Sequence, residues 1–360
     1  MPAPSIDFLR QREAELQDWF HSRLPTLPLG PQQGSLLPVS GDASFRRYFR
    51  AILDTGSCIL VDAPPPHENC RPFVAVAQSL AAAKVNVPTV HDADLDAGFM
   101  CLSDLGDELL WGRLDASRRD SAVQPAAAVL YSSAFDELLK IQRADATALP
   151  PYNAALLRRE MQLFVEWFCL GLLGLHLDAG ELRIIERVFD ALIQRALAQP
   201  QVFVHRDYHS RNLMYRGSET LGVIDFQDAV QGPLTYDLVS LLRDCYIEWP
   251  RAQVREWVEQ YASLSRATIP DTPDIATFQQ DFDWMGMQRH LKVLGIFARL
   301  WLRDGKRGYL ADLPLTLRYL RTVAVEYTEF DEFSAWLSAR VAPNLPRVVE
   351  DLGVGKVAQP

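Results

Sequence analysis

Basic character is scarce in this chain. Its 360 residues include 36 Lys or Arg against 46 Asp or Glu, a formal charge of −10, and no basic run exceeds a few residues. That excludes an extended nucleic-acid surface, which needs clustered cations. Long hydrophobic runs are missing too. The longest, Trp167 to Leu175, falls well short of the roughly 20 residues needed to span a bilayer. The first residues lack the ordered charged, apolar and small-residue regions of a signal peptide. Cysteine is sparse and odd in number: Cys58, Cys70, Cys101, Cys169 and Cys245 show no metal-site spacing and read as reduced, packed thiols. No internal repeat is visible. These absences lead to the expectation of a cytoplasmic protein with no membrane segment, no nucleic-acid partner and no obligate protein partner evident.

What is present is ordinary globular material, 48% hydrophobic and 23% charged, in a length that can bury a large core or two lobes sharing a cleft. Residues 5–24 carry apolar side chains near helical spacing after Ser5, a candidate cap. Residues 36–62 read as three antiparallel strands, Leu36–Ser40, about Phe45–Leu53 and Cys58–Asp62, with Asp54-Thr55-Gly56 as the second turn. A stiff proline segment, 63–68, leads to a helix over 71–84 with Phe73, Val76 and Leu80 on one face. Val90 and Phe99 to Leu102 are further strand candidates. From about residue 107 the pattern turns helical, with long periodic segments over 126–143, 153–177 and 182–198.

One stretch breaks the helical pattern. Residues 202–228 place His205, Asp207 and Asn212 in the spacing H-x-D-x-x-x-x-N between short apolar strands, and Asp225 ends the second strand. Phosphoryl transfer from ATP needs a carboxylate to orient the acceptor hydroxyl and take its proton, and oxygen ligands for magnesium. Magnesium takes one or two carboxylates plus phosphates. Asp207 suits the base, and Asn212 with Asp225 suits the metal. His205 is read as a hydrogen-bonding support of the loop. The tail fragment Gly353-Val354-Gly355-Lys356 lacks both the first glycine and the Ser or Thr of a P-loop and is set aside.

The pattern resembles the catalytic and metal-binding segments of the protein-kinase-like superfamily. The form Asp225-Phe226-Gln227-Asp228 is closer to the aminoglycoside phosphotransferase family and its small-molecule kinase relatives than to true protein kinases. The resemblance implies an α+β, bilobal fold: an N-lobe over residues 1–102 with a small antiparallel sheet, and a larger helical C-lobe over 103–360. It implies ATP and Mg2+ as cofactors. It places Gly41, Asp42, Ala43 and Ser44 in the turn over the nucleotide phosphates, with Arg46 and Arg47 beyond it, and Met100 and Leu102 in the segment whose backbone meets adenine. His209, Arg211 and Asp228 become acceptor-side candidates. Asp237, opening an apolar helix after the Gly232-Pro233 turn, is a candidate cap for that helix, and by the resemblance it also braces the catalytic loop as a structural residue. One departure stands out: Asp62 occupies the strand position where this superfamily carries a phosphate-binding lysine.

Within the superfamily, Gly-Asp-Ala-Ser-Phe-Arg-Arg-Tyr, Val-Asp-Ala-Pro-Pro-Pro and His-Arg-Asp-Tyr-His-Ser-Arg-Asn-Leu are most similar to the bacterial anomeric sugar kinases of cell-wall recycling. That resemblance implies a small amino sugar, N-acetylmuramate or N-acetylglucosamine, as acceptor, phosphorylated on its C1 hydroxyl. Spacing and composition by themselves reach only an ATP-dependent phosphotransferase acting on a hydroxyl. They leave open a kinase for aminoglycosides or another small hydroxyl metabolite, and a nucleotide-binding pseudokinase.

Overall fold

Alternation of apolar and polar residues from Gln32 to Asp62 builds sheet, because successive strand side chains point to opposite faces. The computed structural model describes residues 6–39, 45–65, 67–120, 122, 126–217 and 220–353. Ser5, the turn residues Gly41, Asp42, Ala43 and Ser44, and most of the glycine-containing tail lie outside them. Helix α1 (Ile6–Arg23) precedes strands β1 (Gln32–Val39), β2 (Arg47–Leu53) and β3 (Gly56–Asp62). Helix α2 (Cys70–Ala82), capped by the Asn69 side chain, leads to β4 (Val90–Asp94) and β5 (Phe99–Ser103). The five strands form one antiparallel sheet in the order β1-β2-β3-β5-β4.

The remainder is mostly helical: α3 (Leu110–Arg119), α4 (Ala127–Gln142), α5 (Ala154–Leu163) and α6 (Ala179–Ala198). Four short strands then pair as two ribbons, β6 (Gln201–Val204) with β9 (Val230–Pro233), and β7 (Leu213–Tyr215) with β8 (Leu221–Val223). Helices α7 (Tyr236–Leu242), α8 (Arg251–Thr268), α9 (Ile275–Asp304) and α10 (Leu313–Ala324) follow, then shorter turns of helix to Asp351. The helix expected over 153–177 is interrupted: α5 ends at Leu163 and a wider π-helical turn spans Phe164–Leu172. Sequence periodicity does not distinguish that widening from a regular helix.

The chain divides into two compact units. The first comprises Met1–Arg113, Ala127–Lys140 and Arg211–Asp228. Its core joins Leu16 and Phe20 of α1 to Phe49, Ala51, Cys58, Leu60, Phe99 and Cys101 on one face of the sheet. The second comprises Leu114–Ala126, Ile141–Ser210 and Ala229–Pro360. It is built around α9, which packs against α5, α6, α7, α8, α10 and the π-helical turn. Every residue from Asp281 to Gly295 is buried. Gly295 makes the close approach possible, since a Cβ there would lie 2.3 Å from the Leu163 carbonyl carbon. Gly305 closes α9 in the left-handed conformation at φ 68°, its N–H returning to Trp301 O, the usual helix-ending role of glycine. A helix buried on all sides is ordinarily apolar. This one carries Asp281, Asp283, Gln288, Arg289, His290 and Lys292 inward, and each costs free energy unless it is paired. Among the described residues no helix is long and apolar enough to cross a membrane.

Candidate active site

The H-x-D segment leaves β6 at Val204 and turns through a backbone that few side chains tolerate. Arg206 sits at φ 78°, and Asp225, farther along, at φ 65°. Non-glycine residues enter this region at a cost and persist where their surroundings over-determine them. For Arg206 the surroundings are visible in the second unit. Its guanidinium pairs with Glu160 of α5 and lies over the Tyr152 ring. The Asp237 carboxylate accepts the backbone N–H of His205 at 2.6 Å and of Arg206 at 3.0 Å. Asp237 therefore does not cap its own helix: Thr235 occupies the cap position, without a side-chain bond. Burial pushes the Asp237 carboxyl up to about 7, against the pull of those two N–H donors. His205 Nδ1 accepts the N–H of Asp207 at 3.2 Å. At the far end of the turn, Ser210 N donates to buried Asp244 at 3.0 Å.

Asp207 lines a cavity of about 90 Å³ with His209, Cys245, Tyr246, Arg289 and Lys292. Burial works to raise its pKa, but Lys292, His209, Arg289 and His205 outweigh that and hold the carboxyl below its ordinary value. Asp207 is thus an ionised carboxylate facing open space, able to accept a proton from a hydroxyl placed there. Lys292 donates to Tyr236 Oη at 3.0 Å and pairs with Glu160 at 3.3 Å. Burial alone would discharge it, yet Tyr236 and Glu160 hold its pKa up. His209 packs edge-on against Tyr246. Two larger cavities, of about 440 and 430 Å³, are lined by none of the site residues expected from sequence.

Asn212 and Asp225 lie in the first unit. Asn212 Nδ2 is 3.3 Å from Asp225 Oδ2, and Gln227 Nε2 donates to Asp225 Oδ1 at 2.8 Å. The hairpin of β7 and β8 fixes them, with Ile224 N bonded to Asn212 O. One carboxylate beside one amide oxygen suits magnesium, which keeps waters and shares its shell with phosphates. Among the described residues no three of His, Cys, Asp and Glu gather as a metal cage. Phe226 anchors the segment against Phe73 of α2, ring centroids 4.7 Å apart.

The two arginines after the 40–44 turn separate. Register sets Arg47 opposite Asp62, and its guanidinium bonds that carboxylate at 3.0 and 2.6 Å. Arg12 of α1 takes the other oxygen at 3.0 and 2.5 Å. Arg46 instead pairs with Glu68 at 3.0 Å. Burial opposes its charge, but Tyr48, Glu68 and Asp225 hold it raised, so Arg46 stands within electrostatic reach of the Asp225 carboxylate. Met100 and Leu102 are strand residues of β5 with buried side chains. Arg211 lies over the Trp111 ring, and Asp228 is exposed. Sequence reasoning missed Arg12, Glu160, Asp244, Arg289 and Lys292. For the last two a signal existed, charged residues inside the apolar helical run from Phe282 to Phe297.

The chain is similar to known proteins in sequence and in fold. A kinase of Pseudomonas putida named N-acetylmuramate/N-acetylglucosamine kinase is 46% identical over 311 residues, 85% of this chain and 89% of its own. One of the same name from Pseudomonas aeruginosa is 43% identical, over 91% of this chain and 96% of its own. Among solved structures, an ADP-bound aminoglycoside phosphotransferase superposes with TM-score 0.54 at 14% identity, covering 85% of this chain and 97% of its own. A choline kinase from Streptococcus pneumoniae gives 0.57 at 11%, covering 85% and 98%. At those identities the two structures speak for the fold alone, which is kinase-like. The sequence pattern of the phosphotransferase enzyme family matches residues 35–275, a span that takes in most of the sheet, the H-x-D loop and the Asn212–Asp225 pair, and the chain belongs to that family.

Proposed function

We propose that this protein is an ATP- and magnesium-dependent kinase that phosphorylates the anomeric hydroxyl of N-acetylmuramate and N-acetylglucosamine, in the recycling of peptidoglycan sugars in the cytoplasm. The observation that carries the reading is near full-length similarity, at 46 and 43% identity, to two kinases bearing those substrates in their names. The surroundings of Asp207 support it. The residues lining its cavity include Arg289 and Lys292, whose charges disfavour a polycationic aminoglycoside and suit a neutral or carboxylated sugar.

Each residue then has a task. Residues 1–102 handle the nucleotide, with Arg46 taking over from the lysine that Asp62 displaces, and residues 103–360 supply the base and the acceptor pocket. Asp207 orients the acceptor hydroxyl and takes its proton as the oxygen attacks. The cations around it keep the carboxylate ionised and so ready to act. Asn212 and Asp225 hold magnesium, which when bound neutralises charge on the transferring phosphate. Asp237 and Asp244 fix the loop that presents Asp207, because a base must be placed within hydrogen-bond reach before its basicity counts.

The test is ATP turnover over a panel of N-acetylmuramate, N-acetylglucosamine, unacetylated sugars, choline and aminoglycosides, with and without magnesium. The expected result is magnesium-dependent ADP release with the two N-acetyl sugars alone. Turnover confined to aminoglycosides or choline would overturn the acceptor assignment. Nucleotide binding without turnover of any acceptor would make the chain a pseudokinase.

A further inference from the structure

Of the charged side chains that α9 carries inward, Arg289 is the one that its neighbours leave without a carboxylate. Asp281 pairs with Arg195, Asp283 with Arg243, and Lys292 with Glu160. Arg289 is only 4% exposed. Among the described residues its one hydrogen bond is Nη1 to Cys245 Sγ at 3.6 Å, and no carboxylate lies within ion-pair distance. Burial pushes the Cys245 thiol up, so it stays protonated and supplies no counter-charge. Taking a guanidinium from water without an ion pair is costly, and five N–H donors in a rigid fork are underused.

Asp207 and Asp244 favour the Arg289 charge without an ion pair, and the fork lines the same cavity as Asp207. The space of about 90 Å³ is well above what a single water needs and admits a group the size of a carboxylate. A carboxylate matches it in size and charge, and the planar fork binds carboxylates through two parallel bonds.

We infer that Arg289 forms a carboxylate subsite of the acceptor pocket, receiving an acidic substituent carried by the sugar while the reacting hydroxyl meets Asp207. The inference rests on the acceptor reading above. In N-acetylmuramate the acid is the lactyl ether carboxylate, and N-acetylglucosamine has none. Arg289 therefore sets the preference between the two acceptors, and the neutral sugar leaves the subsite to water. Arg289 also offsets the repulsion between Asp207 and an incoming carboxylate, which would otherwise penalise the acidic sugar.

The experiment crosses substrate with enzyme. kcat/KM is measured for N-acetylmuramate and for its lactyl carboxamide, which keeps the shape and removes the charge, using wild type and Arg289→Gln. Wild type is expected to favour the acid by roughly 10–100-fold, the size of one charge-assisted pair. Arg289→Gln should bring the two substrates within about threefold by the same reckoning, whatever its absolute rate. Arg289→Lys, which keeps the charge but loses the fork, should fall between them. Equal use of acid and amide by wild type would overturn the inference, and that arm needs no variant to fold. An acid preference that survives in Arg289→Gln would overturn it too. Wild type inert towards acid, amide and N-acetylglucosamine alike would instead bring down the acceptor reading itself.

Discussion

Asp62 of the sheet and Asp207 of the H-x-D loop are both carboxylates set among cations, one in each unit, and they are arranged for opposite ends. Around Asp62 the pairing is closed. Arg12 and Arg47 each take one oxygen through two nitrogens, and the carboxylate is wholly buried. Because strand side chains alternate, Asp62 shares its face with Leu60, whose core neighbours Leu16 and Phe20 belong to α1. The ion cluster ties α1 to the sheet: Arg12 also bonds Ala97 O and lies 4.3 Å above the Phe99 ring. Around Asp207 the cations border a cavity. The first arrangement spends its electrostatics on holding two elements together. The second keeps a charge available to something that arrives. A buried acid with arginines nearby is therefore not by itself a mark of an active site; the open volume beside it makes the difference.

Substitutions can break that contrast. Asp207→Asn keeps the shape and removes the proton acceptor, so turnover should fall by roughly 10²–10⁴-fold with the melting temperature little changed. Activity within a few-fold of wild type would remove Asp207 from the base role. Asp62→Ala should do the reverse. It leaves two arginines facing an empty site, a loss of about 3–5 kcal/mol of stability for one broken buried pair, while turnover per folded molecule stays near normal. Chemical denaturation read beside specific activity checks this, and a selective loss of activity without loss of stability would make Asp62 a functional residue.

Two smaller effects sharpen the comparison. Asp225→Ala should raise the magnesium needed for half-maximal rate by roughly 10–100-fold. Asn212→Ala should raise it less, because an amide dipole is weaker than a full charge. Rate against magnesium concentration measures both, and unchanged curves would dissolve the metal assignment. Smallest is the difference between neighbours on one strand. Arg46→Met should raise the ATP KM several-fold, on the scale of one lost charge-assisted contact, besides the stability lost with its Glu68 pair. Arg47→Met should lower stability and leave the ATP KM alone, since its guanidinium is committed to Asp62. Equal KM values in both would place phosphate binding on backbone and metal.

Much of this was legible in the sequence because it is local. The spacing of His205, Asp207, Asn212 and Asp225 is fixed by a turn and a hairpin, and period-2 alternation gave the first three strands. Two further strands, β4 and β5, complete the sheet, and their pairing depends on long-range register that alternation does not encode. The partner of Asp62 was hidden for a related reason. Arg12 lies fifty residues away on a helix whose docking is set by the apolar faces of both elements. Arg289 and Lys292 are farther still from Asp207. Only the burial of α9 on every side turns two ordinary helical cations into site residues. Asp237 is split between the two: the cap suggested by its place at a helix start does not form, while the brace of the catalytic loop that the resemblance implied does, through the His205 and Arg206 backbone donors.

The position of phosphoryl transfer is the point on which the whole account turns. An anomeric hydroxyl is more acidic than an ordinary sugar alcohol, so one ionised aspartate is an adequate base for it. Incubating the protein with ATP, magnesium and either N-acetylglucosamine or its methyl glycoside, and reading the products by phosphorus NMR, isolates that hydroxyl. The account predicts a sugar 1-phosphate from the free sugar and no phosphorylated methyl glycoside. Robust phosphorylation of the methyl glycoside would contradict it.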